Sequence, residues 1–274
     1  MNRYSLRKFI KKWLPSGMVH SIQQWLLSRS VAEFRSHIVQ HRYGIHKLSV
    51  CIGDNLAQGW YDHDWEQLEE ITLLKQWSLK PGALVFDLGA HQGVVAILLA
   101  VECNPGGRVV AVEGSPHNVL MARKNADLNH VESIQILHAV VGEEHGGEKC
   151  FSSTLNGHVR NDGVGERVPQ VSIDGLAAQY GKPDVVFIDV EGYECQALAG
   201  ARTVLKQGAD FFVEVHVGAG LEENGSLEKL LGFFPKREYE LYIAEEEKHP
   251  FLRWNQDAVL PDKRFFLVAR FLHV

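Results

Sequence analysis

After a Pro81-Gly82 step, short apolar runs bounded by turn residues alternate with stretches of helical periodicity. This is the pattern of an α/β protein, a mostly parallel sheet covered by helices on both faces. Strands are expected at 84–88, 109–112, 134–140, 185–189, 211–215, 241–244 and 265–270, seven in all, with helices at about 93–101, 116–128, 195–207 and 226–233. Val185-Val186-Phe187-Ile188 is apolar at every position, as a central strand buried on both faces must be. Ahead of this core, Leu6, Phe9, Ile10, Trp13 and Leu14 fall on one side of a helical wheel, and Arg7, Lys8, Lys11 and Lys12 on the other. A second helical stretch is expected over 19–40, closed by Tyr43-Gly44. The chain thus divides into a basic helical arm, 1–47, and an α/β domain, 48–274.

Charge sharpens that division. The arm carries nine Lys/Arg against Glu33 alone, whereas the remaining 227 residues carry 19 basic and 33 acidic side chains. An acidic body argues against a nucleic-acid groove, so an anionic partner belongs to the arm. The arm's apolar face can dock on its own domain or on a second subunit, or lie on an anionic membrane surface; an organellar transit peptide is a third reading. The most apolar window, 82–101, holds Asp87, His91 and Gln92 and is not a membrane span. Four scattered cysteines without a CxxC pair fit a reducing, cytoplasmic setting, with peripheral membrane contact left open.

In an open parallel sheet, ligands sit outside the carboxyl ends of the strands. The first core strand ends in Asp87-Leu88-Gly89-Ala90-His91-Gln92-Gly93. A dinucleotide fingerprint starting at Gly89 would need glycines at 91 and 94, where His91 and Val94 stand. The carboxylate of Asp87 instead suits a ligand carrying positive charge. The second strand ends in Glu113, 26 residues on, where an acid can accept both hydroxyls of a ribose, and Ser115-Pro116 opens the next helix. The fourth strand runs into Asp189-Val190-Glu191-Gly192-Tyr193-Glu194 and the fifth into Glu214-Val215-His216, so that carboxylates and a histidine converge. The polar stretch 142–170, with six glycines, reads either as a lid over the acceptor pocket together with Tyr61, Asp62 and Trp65, or as a plain surface insertion.

These blocks, with Asn118 and the segment Val171-Ser172-Ile173-Asp174-Gly175-Leu176, resemble the FkbM-type methyltransferases from roughly Gly59 to Ala244. The resemblance implies a class I, Rossmann-like methyltransferase fold, S-adenosylmethionine as methyl donor, and O-methylation of a hydroxyl on a sugar, glycolipid or secondary metabolite. His91 stands where the family often carries Asn. The cofactor would be held by Asp87, Gly89, Ala90, His91, Gly93, Glu113, Ser115, Asn118 and Asp189. His216 is expected as general base, oriented by Glu214 or Asp189, with Glu191 in the same group and no metal ion; a divalent cation on Asp189, Glu191 and His216 is the alternative. Two other classes compete: a nicotinamide-dependent oxidoreductase, disfavoured by the missing glycines, and a non-catalytic membrane-surface module.

Overall fold

The computed structural model describes residues 29, 31, 33–152, 157–245, 248–255 and 259–272. In chain order the elements are β1 (His37–Tyr43), β2 (His46–Ile52), α1 (Asn55–Tyr61), α2 (Glu69–Leu74), β3 (Leu84–Leu88), α3 (Val94–Glu102), β4 (Arg108–Glu113), α4 (Pro116–Leu128), β5 (Ile134–His138) and β6 (Val140–Val141). There follow β7 (Glu148–Ser152), β8 (His158–Arg160), β9 (Glu166–Val171), α5 (Ile173–Tyr180), β10 (Val185–Ile188), α6 (Glu194–Ala199), α7 (Arg202–Gln207), β11 (Asp210–Val215), α8 (Leu221–Asn224), α9 (Leu227–Gly232), β12 (Tyr239–Glu245), β13 (Lys248–Arg253) and β14 (Phe265–Phe271).

The main sheet has the order β13-β12-β14-β11-β10-β3-β4-β5. Strands β11, β10, β3, β4 and β5 pair in parallel, while β14 runs antiparallel between β11 and β12. All seven expected strands are present; the eighth, β13, is an edge strand with Pro250 inside it and no clean alternation to announce it. Period-two alternation divides the core cleanly. Val85, Val109, Ala111, Val185 and Phe187 face one layer with α3 and α4, whereas Leu84, Phe86, Val110, Val112, Val186 and Ile188 face the other with α5 to α7. Each of these side chains is at most 7% exposed, and full burial of one such side chain stabilises the fold by about 1.5–3 kcal/mol.

The first core strand β3 lies at the middle of the five parallel strands. From it the chain winds outward through β4 and β5, then returns to lay β10 and β11 on the opposite side. The carboxyl ends of β3 and β10 therefore flank the point where the winding reverses, and a crevice opens there.

The amphipathic segment 6–14 lies outside the described residues. Two differences from the sequence reading have physical causes. The helix expected to reach Gln40 does not, because His37–Tyr43 is a strand paired with β2 across Gly44, so this hairpin crosses the boundary expected at residue 47. The hairpin is stapled to the domain by side chains of α4: Cys51 N donates to Asn125 Oδ1 at 2.7 Å, and Ser49 N donates to Asn129 Oδ1 at 2.9 Å. The helix expected over 195–207 is split into α6 and α7 at Gly200-Ala201, where Asp174 accepts from Thr203 N and Val204 N and caps the second half.

The candidate active site

The loop after β3 is built for close approach. Gly89 has φ +95°, and a β-carbon there would lie 1.7 Å from the carbonyl oxygen of Asp189, so only glycine lets the two strand ends meet. Gly93, φ +80°, sits at the mouth of α3 against Ala122. His91 takes φ +47°, and its amide donates to Glu113 Oε2 at 2.8 Å, while Ser115 N donates to Glu113 Oε1 at 2.6 Å. Ser115 also caps α4 with Pro116 in its first turn, as its sequence position suggests.

A pocket opens above this loop and is lined by Gly89, His91, Glu113, Asn118, Asp189 and Glu191 among others. Five of the nine cofactor residues expected from the sequence are thus wall residues. The other four lie behind the wall. Ala90 is buried with its amide on Val112 O, Gly93 and Ser115 shape helix starts, and Asp87 is 5% exposed beneath the floor. Asp87 Oδ2 is buried without a hydrogen-bond partner. Burial, and then the charge of Glu113, push the Asp87 carboxyl up to about 7, and burial pushes Glu113 up to about 7 against the pull of its backbone donors. Two enclosed carboxyls that resist ionisation make a cradle that a cation relieves.

The roof is supplied by the glycine-rich insertion. Strands β7, β8 and β9 form a small sheet joined to β6, and Phe151, His158 and Val159 come over the pocket opposite Glu113. The segment 142–170 therefore reaches the pocket through Phe151, His158 and Val159. Its expected companions differ: Trp60 lines the pocket, whereas Trp65 packs on Tyr43 and Asp62 pairs with His41. Tyr61 stands behind the wall and is bonded to His91 Nδ1 at 2.8 Å. The helix α1 that carries Trp60 is held by Asp54, which accepts from Leu56 N, Ala57 N, Gln92 Nε2 and His117 Nε2. Sequence reasoning passed over Asp54, although an Asp before a short polar-apolar stretch is a helix-start signal.

Beside this pocket the four residues expected for catalysis do come together. His216 Nε2 lies 3.4 Å from Glu191 Oε2, 3.5 Å from Glu214 Oε1 and 3.8 Å from Asp189 Oδ1. The convergence of Asp189 and Glu191 does not come from strand alternation, because β10 stops at Ile188. It comes from a turn in which Glu191 has φ +48° and Gly192 φ +88°. A fifth member, Glu194, is fully buried; its Oε1 accepts from His216 Nδ1 at 2.6 Å and from Gly192 N at 2.9 Å. Arg264, on the approach to β14, donates to Glu214 Oε1.

His216 is 1% exposed and is not a wall residue, which changes its expected role. Burial disfavours its imidazolium, but the Glu194 hydrogen bond and the charges of Glu194, Asp189 and Glu191 outweigh that and raise its pKa to about 9. A ring that holds its proton at neutral pH does not serve as the base. Asp189 faces the pocket with its side chain half exposed and Oδ1 enclosed; that partial burial, followed by the charge of Glu214, raises its pKa above the usual carboxylate range.

The model of the FkbM methyltransferase domain matches residues 87–241, from the acid at the end of β3 to the third residue of β12. The chain belongs to the FkbM methyltransferase family. The match begins at Asp87 and takes in both carboxylate-bearing strand ends and the roof. Among curated proteins, 65 residues are 32% identical to the arsenite methyltransferase of Halobacterium salinarum; they make up 24% of this chain and 17% of that protein. Among solved structures, the chain is similar to an FkbM methyltransferase from Methylobacillus flagellatus (18% identity, 68% of this chain and 43% of that one, TM-score 0.46). It is also similar to an S-adenosylmethionine-dependent O-methyltransferase from Thermotoga maritima (16% identity, 85% and 77%, TM-score 0.46). This chain therefore spans less than half the length of the curated relative and of the FkbM structure.

The donor that this family implies, S-adenosylmethionine, fits the residues present. Glu113 on the wall, with Asp87 just beneath the floor and its Oδ2 unpartnered, favours a ligand that carries positive charge, and Gly89 presents bare backbone to the same pocket. Among the described residues no helix is long and apolar enough to cross a membrane.

Proposed function

We propose that this FkbM-family protein transfers a methyl group from S-adenosylmethionine to a hydroxyl of a sugar, glycolipid or secondary metabolite. One observation carries the reading: Glu113, with the buried Asp87 carboxyl beneath the floor, faces the same pocket as the carboxylates Asp189 and Glu191. The bound donor supplies an electrophilic methyl group whose departure leaves a neutral thioether. The chain must hold the acceptor oxygen in line and accept its proton as the carbon–oxygen bond forms. Of the acids on the pocket wall, Glu191 takes that proton, and Asp189 beside it holds the acceptor hydroxyl. His216 stands behind them as a fixed positive partner clamped by Glu194. Phe151 and Val159 exclude water from above, and Trp60 closes the side over His91.

The acidic body speaks against a nucleic-acid acceptor, and the basic arm of residues 1–47 is proposed to dock on protein or on an anionic membrane surface.

The test is calorimetry with S-adenosylmethionine, its demethylated product and NAD, followed by labelled-methyl transfer into extracts of the source cell. Binding of the first two alone is expected, with label appearing in an alkali-stable ether. Tight NAD binding with no response to the sulfonium would overturn the reading. Glu191→Gln should bind donor normally and turn over at least about 100-fold more slowly, the usual contribution of a positioned acid or base.

A further inference from the structure

The cluster behind the acceptor side of the pocket contains an arrangement that proton transfer alone leaves unexplained. His216 is 1% exposed, and its Nε2 is buried without a hydrogen-bond partner, although three carboxylate oxygens face it. An imidazolium paired with a carboxylate draws it to about 2.7–2.9 Å, as Glu194 does on the other ring nitrogen at 2.6 Å. The separations at Nε2, 3.4–3.8 Å, are too long for that. They are slightly wider than those of ligands already sharing one ion, about 3–3.4 Å for bonds of roughly 2.1 Å, and small side-chain shifts bring them onto one.

The ligand atoms of Asp189, Glu214 and His216 all lie within 4.8 Å of one another. Glu194 supplies the supporting contact such a histidine needs: a buried carboxylate on Nδ1 fixes the ring and aims Nε2 at the cluster, where an arriving ion displaces the proton that the metal-free ring carries. Arg264 holds Glu214 from the outer side through Oε1, whose second lone pair stays available. Four carboxylates (Asp189, Glu191, Glu194 and Glu214) crowd this corner, a charge excess that a divalent cation offsets.

We propose that Asp189, Glu214 and His216 bind a divalent metal ion at the acceptor end of the pocket, with Glu194 as the residue that positions His216. Two carboxylates and one imidazole form a mixed oxygen and nitrogen set, which suits Mn2+ better than an all-oxygen ion and leaves coordination positions open towards the pocket. The site stands on its own geometry; only its role rests on the methyl-transfer reading. There, an acceptor hydroxyl becomes a ligand of the ion and loses its proton to Glu191, so that the nucleophile is formed without a strong base.

The experiment uses the full chain stripped with a chelator and titrated with Mn2+, with Mg2+ and Zn2+ as competitors. Free Mn2+ is followed by electron paramagnetic resonance, and bound Mn2+ by pulsed measurements of its nitrogen coupling. One Mn2+ per chain with imidazole nitrogen coupling is expected. His216→Gln should abolish the coupling, Asp189→Asn and Glu214→Gln should weaken binding at least tenfold, and Glu194→Gln should weaken it by about 10–100-fold. If His216→Gln does not fold, Asp189→Asn, whose side chain is 46% exposed, carries the test. Failure of Mn2+, Mg2+ and Zn2+ alike to bind at millimolar concentration, coupling that survives in His216→Gln, or unchanged affinity in Asp189→Asn would each overturn the site. Donor binding is measured on the stripped protein. Loss of the metal site with donor binding intact leaves the methyl-transfer reading standing, and the reverse outcome leaves the ion site standing.

Discussion

Replacing Asp87 by Asn separates what the cradle does for binding from what it costs the fold. The Asp87 carboxyl is pushed from 3.8 to about 7 by burial and then by Glu113. With the folded pKa above the unfolded one, the contribution to stability is complete below about pH 4 and is lost as pH rises towards 7. At about 1.36 kcal/mol per pKa unit, ionised Asp87 at pH 8 costs the free protein on the order of 4 kcal/mol. Asn has the same shape without the charge. Asp87→Asn is therefore expected to be about as stable as the parent at pH 4 and several kcal/mol more stable at pH 8, measured by urea unfolding at both values. The same substitution should weaken S-adenosylmethionine binding by roughly 1.5–3 kcal/mol, or about 10- to 100-fold, because a charge-assisted contact is lost. Calorimetry reads that change, and wild-type binding near pH 7 should release protons as the cation draws both carboxyls into their ionised forms. A variant equally destabilised at pH 4 and pH 8, or one that binds donor as tightly as the parent, would refute the reasoning.

Other substitutions isolate other parts. Gly89→Ala places a methyl group against the Asp189 carbonyl at positive φ, and should lower the unfolding free energy by at least about 2 kcal/mol and abolish donor binding. Trp60→Ala removes a 38% exposed ring that packs at a tilt against His91; donor affinity should fall several-fold in calorimetry while the urea midpoint hardly moves. Asp174→Ala removes the acceptor for Thr203 N and Val204 N, and should cost about 1–2 kcal/mol of stability with donor affinity unchanged.

The parallel core was legible because its strands are continuous apolar runs and its helices open with ordinary start signals: β3 and α4 fall where the pattern puts them, residue for residue. The acids at the strand ends were legible for the same reason, since a charge that ends an apolar run stands out. What pattern could not give was the direction in which those charges face. His216 follows a buried strand and looks like a free base. Its role depends on Glu194, 22 residues away, and on burial, neither of which has a periodic signature. The hairpin β1–β2 was hidden because its alternation is mostly polar on an exposed face, and its anchors are Asn125 and Asn129 on a distant helix. The roof strands β7 to β9 are short, glycine-flanked and held by pairing rather than by hydrophobic periodicity.

That roof is attached to the body through two short parallel pairs, Val140 with Gln170 and Val141 with Val171. Floor and ceiling are consequently under different constraints. The floor carboxyls Asp87, Glu113 and Asp189 sit at or just past the ends of strands whose register is shared by neighbours on both sides, so exchanging one disturbs several. The ceiling is one continuous stretch of chain, and its length and side chains can vary without moving a strand of the main sheet. If the protein transfers methyl groups as proposed, swapping 148–166 between related chains changes the ceiling over the pocket while leaving the strand ends of the main sheet in place.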